Sequence, residues 1–531
     1  MAKNPINVNV ETSQEGLKTR YENMLHNVAK MLDDDGPIYT TWIYFQIGTK
    51  GKYITFNSSS QDTKQNLIAS LDIEKTCSGI ANSFTLTVYY DPFNYGQDTQ
   101  DKIEILDEFI ATAMAEDFND DTSSCRGKIQ YGYNSTSASD DSLVSPIYTF
   151  FLTGATSNVK FDSGIAMYTF TGTSVLSAEC DYVTSYDEIK DTPLLQAVGK
   201  LLYKYYGDPD HPPIKSISEG ITPISGETKY RIDIIDNDIT NSQTINEEKS
   251  SITQSPWLYC KSLLDKYPLT KEEAESEEFK DLSKVSLNKR PKYSMYITDT
   301  DDKPTIHIVH FAPSSKIENG KEISVEQSAL SLNYTFSWGT KQDNLSNKNI
   351  VIGWKPEVDL YTYLIRSALH KRYEKLKELK DTDPAKYGKA YDDLAEYYSE
   401  DVVEMYNAEI ELIGIPADPP MAAEVEIIPR VCENISRTAG IYAITGASDS
   451  INNTGTFTST LKLFRLRSAN ADKSSLTKNE TAQETKSEKV YVDLYNYVYV
   501  TPEEKKAMQN RTYTRTIQPP DYTNMDIKLV Q

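Results

Sequence analysis

The sequence predicts an α+β chain in which antiparallel β-structure dominates. The stretch Ser83 to Tyr90 places apolar or aromatic side chains at every second position, which is typical of a half-buried strand. The order sheet, helix, sheet occurs twice, once from Ile38 to about Tyr186 and again from Ser331. A mixed region of helices and strands, Pro193 to about Val325, lies between the two β-rich stretches. The chain is therefore predicted to hold two β-rich domains and a mixed middle domain.

Length and charge narrow the classes of function. A chain of 531 residues is long enough for about three or four domains. Its net charge of −23 argues against a nucleic-acid-binding protein, because affinity for phosphate backbones comes mainly from clustered Lys and Arg. Acidity suits a surface that DNA passes without sticking, and it also serves simple solubility.

The cysteines and the lengths of the apolar runs indicate the compartment in which the protein is made. Five scattered cysteines without CxxC spacing are expected to be reduced, as in a protein made in a cytosol. No apolar signal region opens the sequence, and no run of about 18 apolar residues occurs in it. We expect neither secretion nor a stable association with a membrane.

The first β-rich stretch is preceded by one helix and contains another. Gln14 to Leu32 carries apolar side chains at helical spacing and ends at Asp33 to Pro37. Thr99 to Phe118 has a similar apolar stripe, with Asp98 or Thr99 available as a cap. The remaining strands are predicted around Ile129 to Tyr133, Ile147 to Leu152 and Gly164 to Thr173.

The middle region is predicted to contain two helices and a pair of strands. The helices are Leu194 to Tyr206 and Ser255 to Tyr267, with Pro256 at the start of the second. Four side chains of the second helix are expected to pack inward: Trp257, Leu258, Leu263 and Leu264. Strands follow at Tyr293 to Thr298 and Thr305 to Phe311, separated by a turn at Asp299 to Pro304. The acidic stretch Lys271 to Lys280 is expected to be a solvated face.

The second β-rich stretch has an enlarged helical segment. A helical hairpin over residues 359–407 is predicted, its first helix ending at Asp381 to Pro384 and its second continuing to about Met405. The strands around it are predicted at Leu332 to Trp338, Ile350 to Trp354, Glu409 to Gly414 and Glu424 to Pro429. Beyond the last hairpin we predict a polar loop at Ala469 to Lys489, a strand at Tyr491 to Val500 and an extended tail.

The hairpin Gly440 to Leu466 is the most informative stretch. Beyond its turn, Phe457, Leu461 and Leu463 alternate with Thr and Lys, and the turn at Asn452 to Gly455 uses residues that accept a positive φ. Its first strand resembles Gly164 to Gly172, since both open on Gly-Ile and contain Thr-Gly. We take this as a hypothesis of duplication.

The search for chemistry finds no catalytic, cofactor-binding or metal-binding residue. His307 and His310 lie three positions apart in a predicted strand, so they face opposite sides and do not share a metal. No zinc-protease, nucleophile-elbow or phosphate-loop motif occurs. His211 and Cys260 complete the middle region's candidates for a hidden hydrolase, with no recognised arrangement. We expect a protein that is not an enzyme.

Four dispersed motifs resemble the baseplate hub family of long-tailed phages and contractile injection systems, which includes the T-even hub and late control protein D. They are SLDIEKTCSGIANSFTLTVYY (Ser70 to Tyr90), IVIGWKPEVD (Ile350 to Asp359), IELIGIP (Ile410 to Pro416) and the hairpin Gly440 to Leu466. The resemblance implies two tube-like antiparallel β-barrel domains per chain, which in a homotrimer form a pseudo-sixfold ring. The long hairpin and the tail depart from the family pattern and leave the neighbours of those segments open.

The resemblance also implies domains and partners. The predicted domains are an N-terminal helical arm (1–36), a first tube-like barrel (37–192), a mixed middle domain (193–325), a second tube-like barrel with the hairpin 359–407 (326–500) and a tail (501–531). The ring would join the sixfold tail tube to a threefold spike in the virion's baseplate, with DNA only passing through. Expected partners are the tube or distal tube protein, the spike, other baseplate proteins and, as a further candidate, the tape measure protein. A tail-tip peptidoglycan hydrolase and a host-surface-binding tail protein are the alternatives.

Overall fold

A single large sheet carries most of the fold in the computed structural model. The structure describes the following residues: 5, 6, 8, 10–32, 40–49, 52–57, 68–77, 82–90, 126–134, 143–160, 165–177, 187–226, 228–234, 239–250, 254–267, 269, 271–275, 292–311, 315–318, 321–324, 330–338, 350–358, 375, 376, 378, 379, 381–386, 388, 406–431, 434–436, 438–452 and 455–468.

The strands form three blocks and one small hairpin along the chain. The first block contains β1 Thr40–Thr49, β2 Lys52–Asn57, β3 Ile68–Thr76, β4 Ser83–Tyr90, β5 Arg126–Asn134, β6 Tyr148–Lys160 and β7 Ile165–Ser174. The middle block contains β8 Glu188–Pro193, β9 Arg231–Ile234, β10 Thr244–Lys249, β11 Lys292–Thr298 and β12 Thr305–Phe311. A small hairpin follows, β13 Ser315–Glu318 and β14 Lys321–Ser324. The second block contains β15 Ser331–Trp338, β16 Val351–Val358, β17 Tyr406–Ile413, β18 Glu424–Val431, β19 Asn434–Ile435, β20 Gly440–Asn452 and β21 Phe457–Ser468.

The helices whose bounds the structure gives precede the sheet or belong to the middle block. They are α1 Gln14–Met31, α2 Leu194–Tyr206, α3 Lys215–Ser218, α4 Pro256–Lys266 and α5 Lys271–Glu275, with a 3₁₀ turn at Ile239–Asn241. Within the described residues, no helix is long and apolar enough to cross a membrane.

The first and second blocks form one sheet, in the order β16-β17-β21-β20-β3-β4-β7-β6-β5-β1-β2, with β15, β18 and β19 attached beside β20. The predicted dominance of antiparallel strands is confirmed, and the exceptions are the parallel pairs β15/β18 and β9/β12. The described strands of both predicted barrels therefore belong to one sheet, and the first and last strands of its order are not paired with each other. Edge strand β16 contains Pro356, which cannot donate a ladder hydrogen bond and so is tolerated at an edge.

Strand β20 joins the two blocks by changing partners. Its first residues, from Gly440 to Ala443, pair with β18, and its last, from Gly446 to Asn452, pair antiparallel with β3 of the first block. A bulge in the β20/β21 ladder between Ile444 and Gly446 lies at the change of partner. A Cβ at Gly446 would lie 3.0 Å from the carbonyl oxygen of Lys75, so glycine suits the close approach of the two backbones.

The sheet curls so that distant strands face each other across one core. Tyr131 and Tyr133 of β5 lie several strands away from β21 in the ladder, yet their rings lie 5.8 Å and 5.4 Å from the ring of Phe457. The hydroxyl of Tyr133 donates to the carbonyl oxygen of Gly414, 2.9 Å away, in the second block. Both blocks thus bury their apolar faces in a shared core.

The middle block has a second core, and the hairpin β11/β12 separates the two cores. Tyr293, Ile306 and Ile308 belong to the core of the middle block. Tyr296 and Val309, on the other face of the same hairpin, belong to the core of the large sheet. Both faces of these strands are therefore covered.

The N-terminal residues contact all three blocks. Ser13 caps α1, as expected for a hydroxyl that accepts from the first turn. The backbone N–H of Ile6 donates to Gln130 Oε1 of the first block, 2.9 Å away, and the N–H of Gln14 donates to Asp233 Oδ2 of the middle block, 3.0 Å away. Glu22 of α1 accepts from the backbone N–H of Asn333 in the second block at 2.7 Å.

Most predicted elements within the described residues are present. The helix predicted over Gln14 to Leu32 is α1, the helix Leu194 to Tyr206 is α2, and the helix that begins at Pro256 is α4. The inward packing of Leu258 was wrong: this side chain is 49% exposed, and Tyr259 and Cys260 are buried instead. The first strand of the hairpin at Gly440 runs to Asn452, whereas the sequence predicts a strand from Ile441 to Thr445.

Several predictions lie outside the described residues. These are the helix Thr99 to Phe118, most of the hairpin 359–407, the loop Ala469 to Lys489, the strand Tyr491 to Val500 and the tail 501–531. The described part of 375–388 is helical on either side of Asp383, next to Pro384.

Candidate functional site: the polar face of the sheet and the junction beneath it

The outward face of the large sheet is polar across eight successive strands. The polar face, as we call it, follows the path β6-β7-β4-β3-β20-β21-β17-β16, in which residues paired across strands share a face. Its polar members in the described ladders include Thr156, Thr169, Thr171, Thr85, Thr87, Asp72, Glu74, Ser448, Ser450, Thr458, Thr460, Lys462, Glu409, Glu411, Lys355 and Glu357. The apolar residues Met167, Ile413 and Phe464 share the same face.

Each strand of this path alternates between the polar face and the core. In β4, Phe84, Leu86 and Val88 are buried while Thr85 and Thr87 are half-buried. The side of the hairpin Gly440 to Leu466 that carries Thr458, Thr460 and Lys462 belongs to this face, as its alternation predicted. The polar face thus extends from one block to the other without interruption at the β3/β20 pairing.

Acidic residues outnumber basic ones on the polar face. Its carboxylates are Asp72, Glu74, Glu357, Glu409 and Glu411, and its cations are Lys355 and Lys462. Lys462 forms a salt bridge with Glu74 across the pairing of the two blocks. Lys355 contacts Glu409 on the neighbouring strand at 3.4 Å. Both cations are thus paired, and the remaining charge of the face is negative.

The ends of this path are strand edges. Strand β16 pairs only with β17 among the described strands, and the residues of β6 beyond Phe151 pair only with β7. Ile352 of β16 is 54% exposed, an apolar side chain at one of these edges. Such edges are open to pairing or packing with another chain.

Beneath the polar face, a cluster of charged groups fixes the pairing of the two blocks. We call it the junction cluster: Lys75 of β3, Asp449 of β20, Asp418 of the loop after β17, and Tyr131 and Tyr148 of β5 and β6. Lys75 Nζ lies 2.7 Å from Asp418 Oδ1 and 3.5 Å from Asp449 Oδ2. All five side chains are nearly or fully buried.

The tyrosines complete the hydrogen bonding of the junction cluster. The hydroxyl of Tyr131 donates to Asp449 Oδ2, and that of Tyr148 donates to Asp418 Oδ2 at 3.0 Å. Lys75 Nζ lies 4.9 Å from the centre of the Tyr148 ring, within the range of a cation–π contact. Ser459 donates to the second oxygen of Asp449. Each buried charge therefore has several partners, which is the condition for burying it without a large loss of stability.

The pKa values in the junction cluster follow from burial and pairing. Burial alone would lower the pKa of Lys75, but Asp418 and the other neighbours outweigh burial, and the pKa of Lys75 is raised. Burial also raises the pKa of Asp449, and Lys75 partly opposes that rise. Burial raises the pKa of Tyr131, which therefore stays a neutral donor.

The middle block contains a chain of three hydrogen-bonded side chains, those of Thr298, His307 and Asp233. His307 Nε2 lies 2.8 Å from Thr298 Oγ1, and His307 Nδ1 lies 3.1 Å from Asp233 Oδ2. The order of groups is that of a nucleophile, a base and an orienting acid. His307 is fully buried and Thr298 is 3% exposed, so no substrate reaches the hydroxyl as the structure stands. Asp233 also accepts the first N–H of α1, which makes the set a contact between α1 and the middle block.

The other residues singled out from the sequence do not converge. His307 and His310 face opposite sides of β12, as predicted: His307 stacks on Tyr296 and His310 on Tyr293. His211 contacts Asp208 at the surface, 2.7 Å away. Among the described residues, no group of three His, Cys, Asp or Glu side chains is placed to hold a metal ion.

Sequence reasoning missed the junction cluster. The available signal was a charge in the apolar phase of a strand: Lys75 follows Leu71 and Ile73 at steps of two, and Asp449 lies between Ala447 and Ile451 in the same way. Nothing in the sequence marks β3 and β20 as partners.

Comparisons with known proteins give distant likenesses. No protein-family model matches the chain, and no match is found among curated proteins. The chain is similar in structure to a tail protein from Neisseria meningitidis MC58, with TM-score 0.37, 10% identity, and coverage of 80% of this chain and 96% of that one. The 43 kDa tail protein of prophage MuSo2 from Shewanella oneidensis gives TM-score 0.38, 8% identity, and coverage of 80% and 98%.

A third similar structure is the E. coli c3393 protein, a component of the type VI secretion system described as structurally similar to the T4 bacteriophage tail proteins gp27 and gp5. It gives TM-score 0.35, 8% identity, and coverage of 75% of this chain and 73% of that one.

Proposed function

We propose that this protein is the structural hub of a phage-like tail tip, a homotrimer that surrounds a channel. The observation that carries the proposal is the polar face, which is continuous over eight strands drawn equally from the first and second blocks. A sheet in water needs only a polar outer face. Here that face is also rich in Thr and Ser, acidic, and bounded at both ends by strand edges that are open to pairing.

Three copies would provide six such half-sheets. Because each chain contributes two four-stranded halves, a threefold ring would present a sixfold surface to a tail tube and a threefold surface to a spike. The edges β16 and β6 of neighbouring copies would face each other in this ring, and the polar face would line the channel. The family resemblance of Ile350 to Asp359, which contains β16, supports this assignment.

An acidic lining suits the passage of DNA. Like charges repel, so a surface rich in Asp and Glu keeps phosphate backbones from adhering. The tail tube or distal tube protein, the spike, other baseplate proteins and the tape measure protein are the expected partners, in a baseplate assembled from chains made in the host cytoplasm. Under this proposal the protein has no catalytic residue, and Thr298, His307 and Asp233 serve the contact between α1 and the middle block.

The test is the oligomeric state and its symmetry. The full-length chain, purified alone and with its neighbouring tail proteins, is examined by native mass spectrometry and electron microscopy. We expect three copies per ring. A chain that stays monomeric with its native partners, or a ring of six copies, would refute the proposal. A zymogram on cell-wall peptidoglycan tests the hydrolase alternative, for which we expect no cleavage.

A further inference from the structure

The turn between β11 and β12 docks the middle block onto the first block. The backbone N–H of Thr149 donates to the carbonyl oxygen of Asp299 at 3.0 Å, and the N–H of Asp301 donates to the carbonyl oxygen of Ile147 at 2.8 Å. At the rim of this contact, Asp301 forms a salt bridge of 2.8 Å with Lys128. We call this contact the seam.

A buried carboxyl group lies inside the seam. Asp299 is 4% exposed, and its Oδ2 accepts a hydrogen bond of 2.8 Å from Asn82 Nδ2. The strongest charge effects on it come from Asp418, which repels a negative charge, and from Lys75, which attracts one. Lys75 is already 2.7 Å from Asp418 and 3.5 Å from Asp449.

The number of buried charges bears on whether Asp299 is protonated or ionised. Three buried carboxyl groups, those of Asp299, Asp418 and Asp449, share a single buried lysine, Lys75. Ionising all three would leave two negative charges uncompensated in a dry environment, which is strongly unfavourable. Lys75 contacts Asp418 and Asp449 directly, whereas the neutral side-chain amide of Asn82 donates to Asp299, so we assign a proton to Asp299.

We propose that the seam is controlled by a proton: Asp299 holds one while the middle block is docked and releases it to water when the seam opens. The closed seam therefore takes up a proton from solution that the open seam does not bind. This is a device built into the fold, and it does not depend on the proposed role in a tail tip.

The direction of the pH effect follows from the two states of Asp299. In the docked state burial raises the pKa of Asp299 to about 7, whereas an exposed Asp has a pKa of about 3.9. Between these values the opening of the seam releases one proton, so the opening equilibrium rises about tenfold per pH unit. Above about pH 7 both states are ionised, and the dependence levels off.

Other titratable groups lie near the seam and must be separated from Asp299. His310, on the same hairpin, has a pKa lowered by burial to about 4, so its effect on opening has the opposite sign. His307 contacts Asp233, and Lys128 pairs with Asp301 at the rim. The difference between the wild type and Asp299→Asn isolates the proton of Asp299, because these groups are common to both.

Hydrogen exchange of the full chain, measured by mass spectrometry between pH 5 and 8 and corrected for intrinsic rates, tests the proposal. The reporters are peptides that contain the amides of Thr149 and Asp301, with peptides of β3 and β4 as the reference. We expect the ratio of wild-type to Asp299→Asn exchange at the seam to rise about tenfold per pH unit up to about pH 7 and then to level off.

Asp301→Asn is the matched control, because it removes a carboxylate two residues away at the rim of the seam. We expect it to keep the pH dependence. Asp418→Asn is a second variant, useful if Asp299→Asn fails to fold: without the repulsion of Asp418, the levelling should move to lower pH. An Asp299→Asn protein that keeps the wild-type pH dependence, or an Asp418→Asn protein whose exchange levels off at the same pH as in the wild type, would each overturn the proposal.

Discussion

Lys75 is a lysine on an apolar face, and its position determines how the two blocks pair. It alternates with Leu71 and Ile73, so its side chain points into the core with theirs. A slip of β3 by one residue relative to β20 would carry Lys75 to the polar face, away from Asp449, and bury Glu74 instead. The junction cluster therefore favours one register of the pairing.

The first prediction concerns the loss of this cation. Replacing Lys75 with Met leaves Asp418 and Asp449 buried without their counter-ion. We expect the free energy of unfolding to fall by about 3–5 kcal/mol at neutral pH. Urea denaturation followed by tryptophan fluorescence measures the change.

Lys462→Met is the matched control on the opposite face of the same sheet. Lys462 pairs with Glu74 in partial contact with water, so its loss should cost only about 0–1 kcal/mol. The triple variant Lys75→Met, Asp418→Asn, Asp449→Asn should recover much of the stability, because no unpaired charge stays buried. If Lys75→Met and Lys462→Met lose the same free energy of unfolding, the buried ion pairs of Lys75 stabilise the fold no more than a surface salt bridge does.

The second prediction concerns His310. Burial lowers its pKa to about 4, below the value of about 6.5 for an exposed His. The folded protein therefore binds fewer protons than the unfolded one, and stability is lost as the pH falls from about 6.5 to about 4, by up to about 3 kcal/mol. His310→Phe keeps the stacking on Tyr293, whose ring centre is 4.5 Å away, and removes the titration.

Urea midpoints of wild type and His310→Phe, measured at several pH values, test this prediction. The midpoint of the variant should fall less on acidification. If the urea midpoints of the two proteins fall in parallel from pH 7 to pH 4, His310 does not have the lowered pKa on which this prediction depends.

Among the elements, those with local signals could be predicted and those that depend on distant pairing could not. Helix α1 shows its apolar stripe and its Ser13 cap within a few turns of sequence, so its bounds are predictable. The exposed Leu258 shows the limit of that reasoning, since the direction of a helix face depends on what packs against it. The pairing of β3 with β20 joins residues such as Asp72 and Ser450, which are 378 positions apart. No local pattern encodes a contact of that kind.

The edge strand β16 carries the third prediction. Ile352 is 54% exposed at this edge, where a neighbouring copy would pack in the proposed ring. Ile352→Asp should weaken trimer formation at least about tenfold, since it places an unpaired charge in an apolar contact. Sedimentation velocity over a range of concentrations measures the shift towards monomer.

Ile224→Asp provides the control for this variant. Ile224 is 64% exposed but belongs to the middle block, and it is not part of the polar face or of its edge strands. The same change there should leave the assembly intact. If both variants assemble like the wild type, β16 is not a subunit contact.

At the scale of the whole molecule, alternation predicted a β-dominated fold, and charge argued against a nucleic-acid-binding protein. Acidity read from the sequence is a bulk property, with 78 acidic residues and no indication of where they lie. The structure places several of them on one continuous polar face. It also joins into one sheet the two blocks that the sequence predicts as separate barrels, because β20 is long enough to pair with β18 at one end and with β3 at the other.

The fourth prediction tests the role of that charge. Glu409→Lys combined with Glu411→Lys reverses two carboxylates on the polar face. The wild type should pass over immobilised DNA unretained, whereas the variant should be retained at low salt and released as the salt concentration rises. The same reversals at Glu219 and Glu247, which are exposed on the middle block, should cause weaker retention. Equal retention of both variants would mean that the polar face has no special relation to DNA.

The most direct test of the proposed ring is a map of the assembly by electron microscopy, at a resolution that traces strands. We predict three copies of the chain in one ring, with β6, β7, β4, β3, β20, β21, β17 and β16 of each copy lining the channel and the polar face turned towards it. A ring in which this face lies on the outside or is buried between subunits would contradict the account.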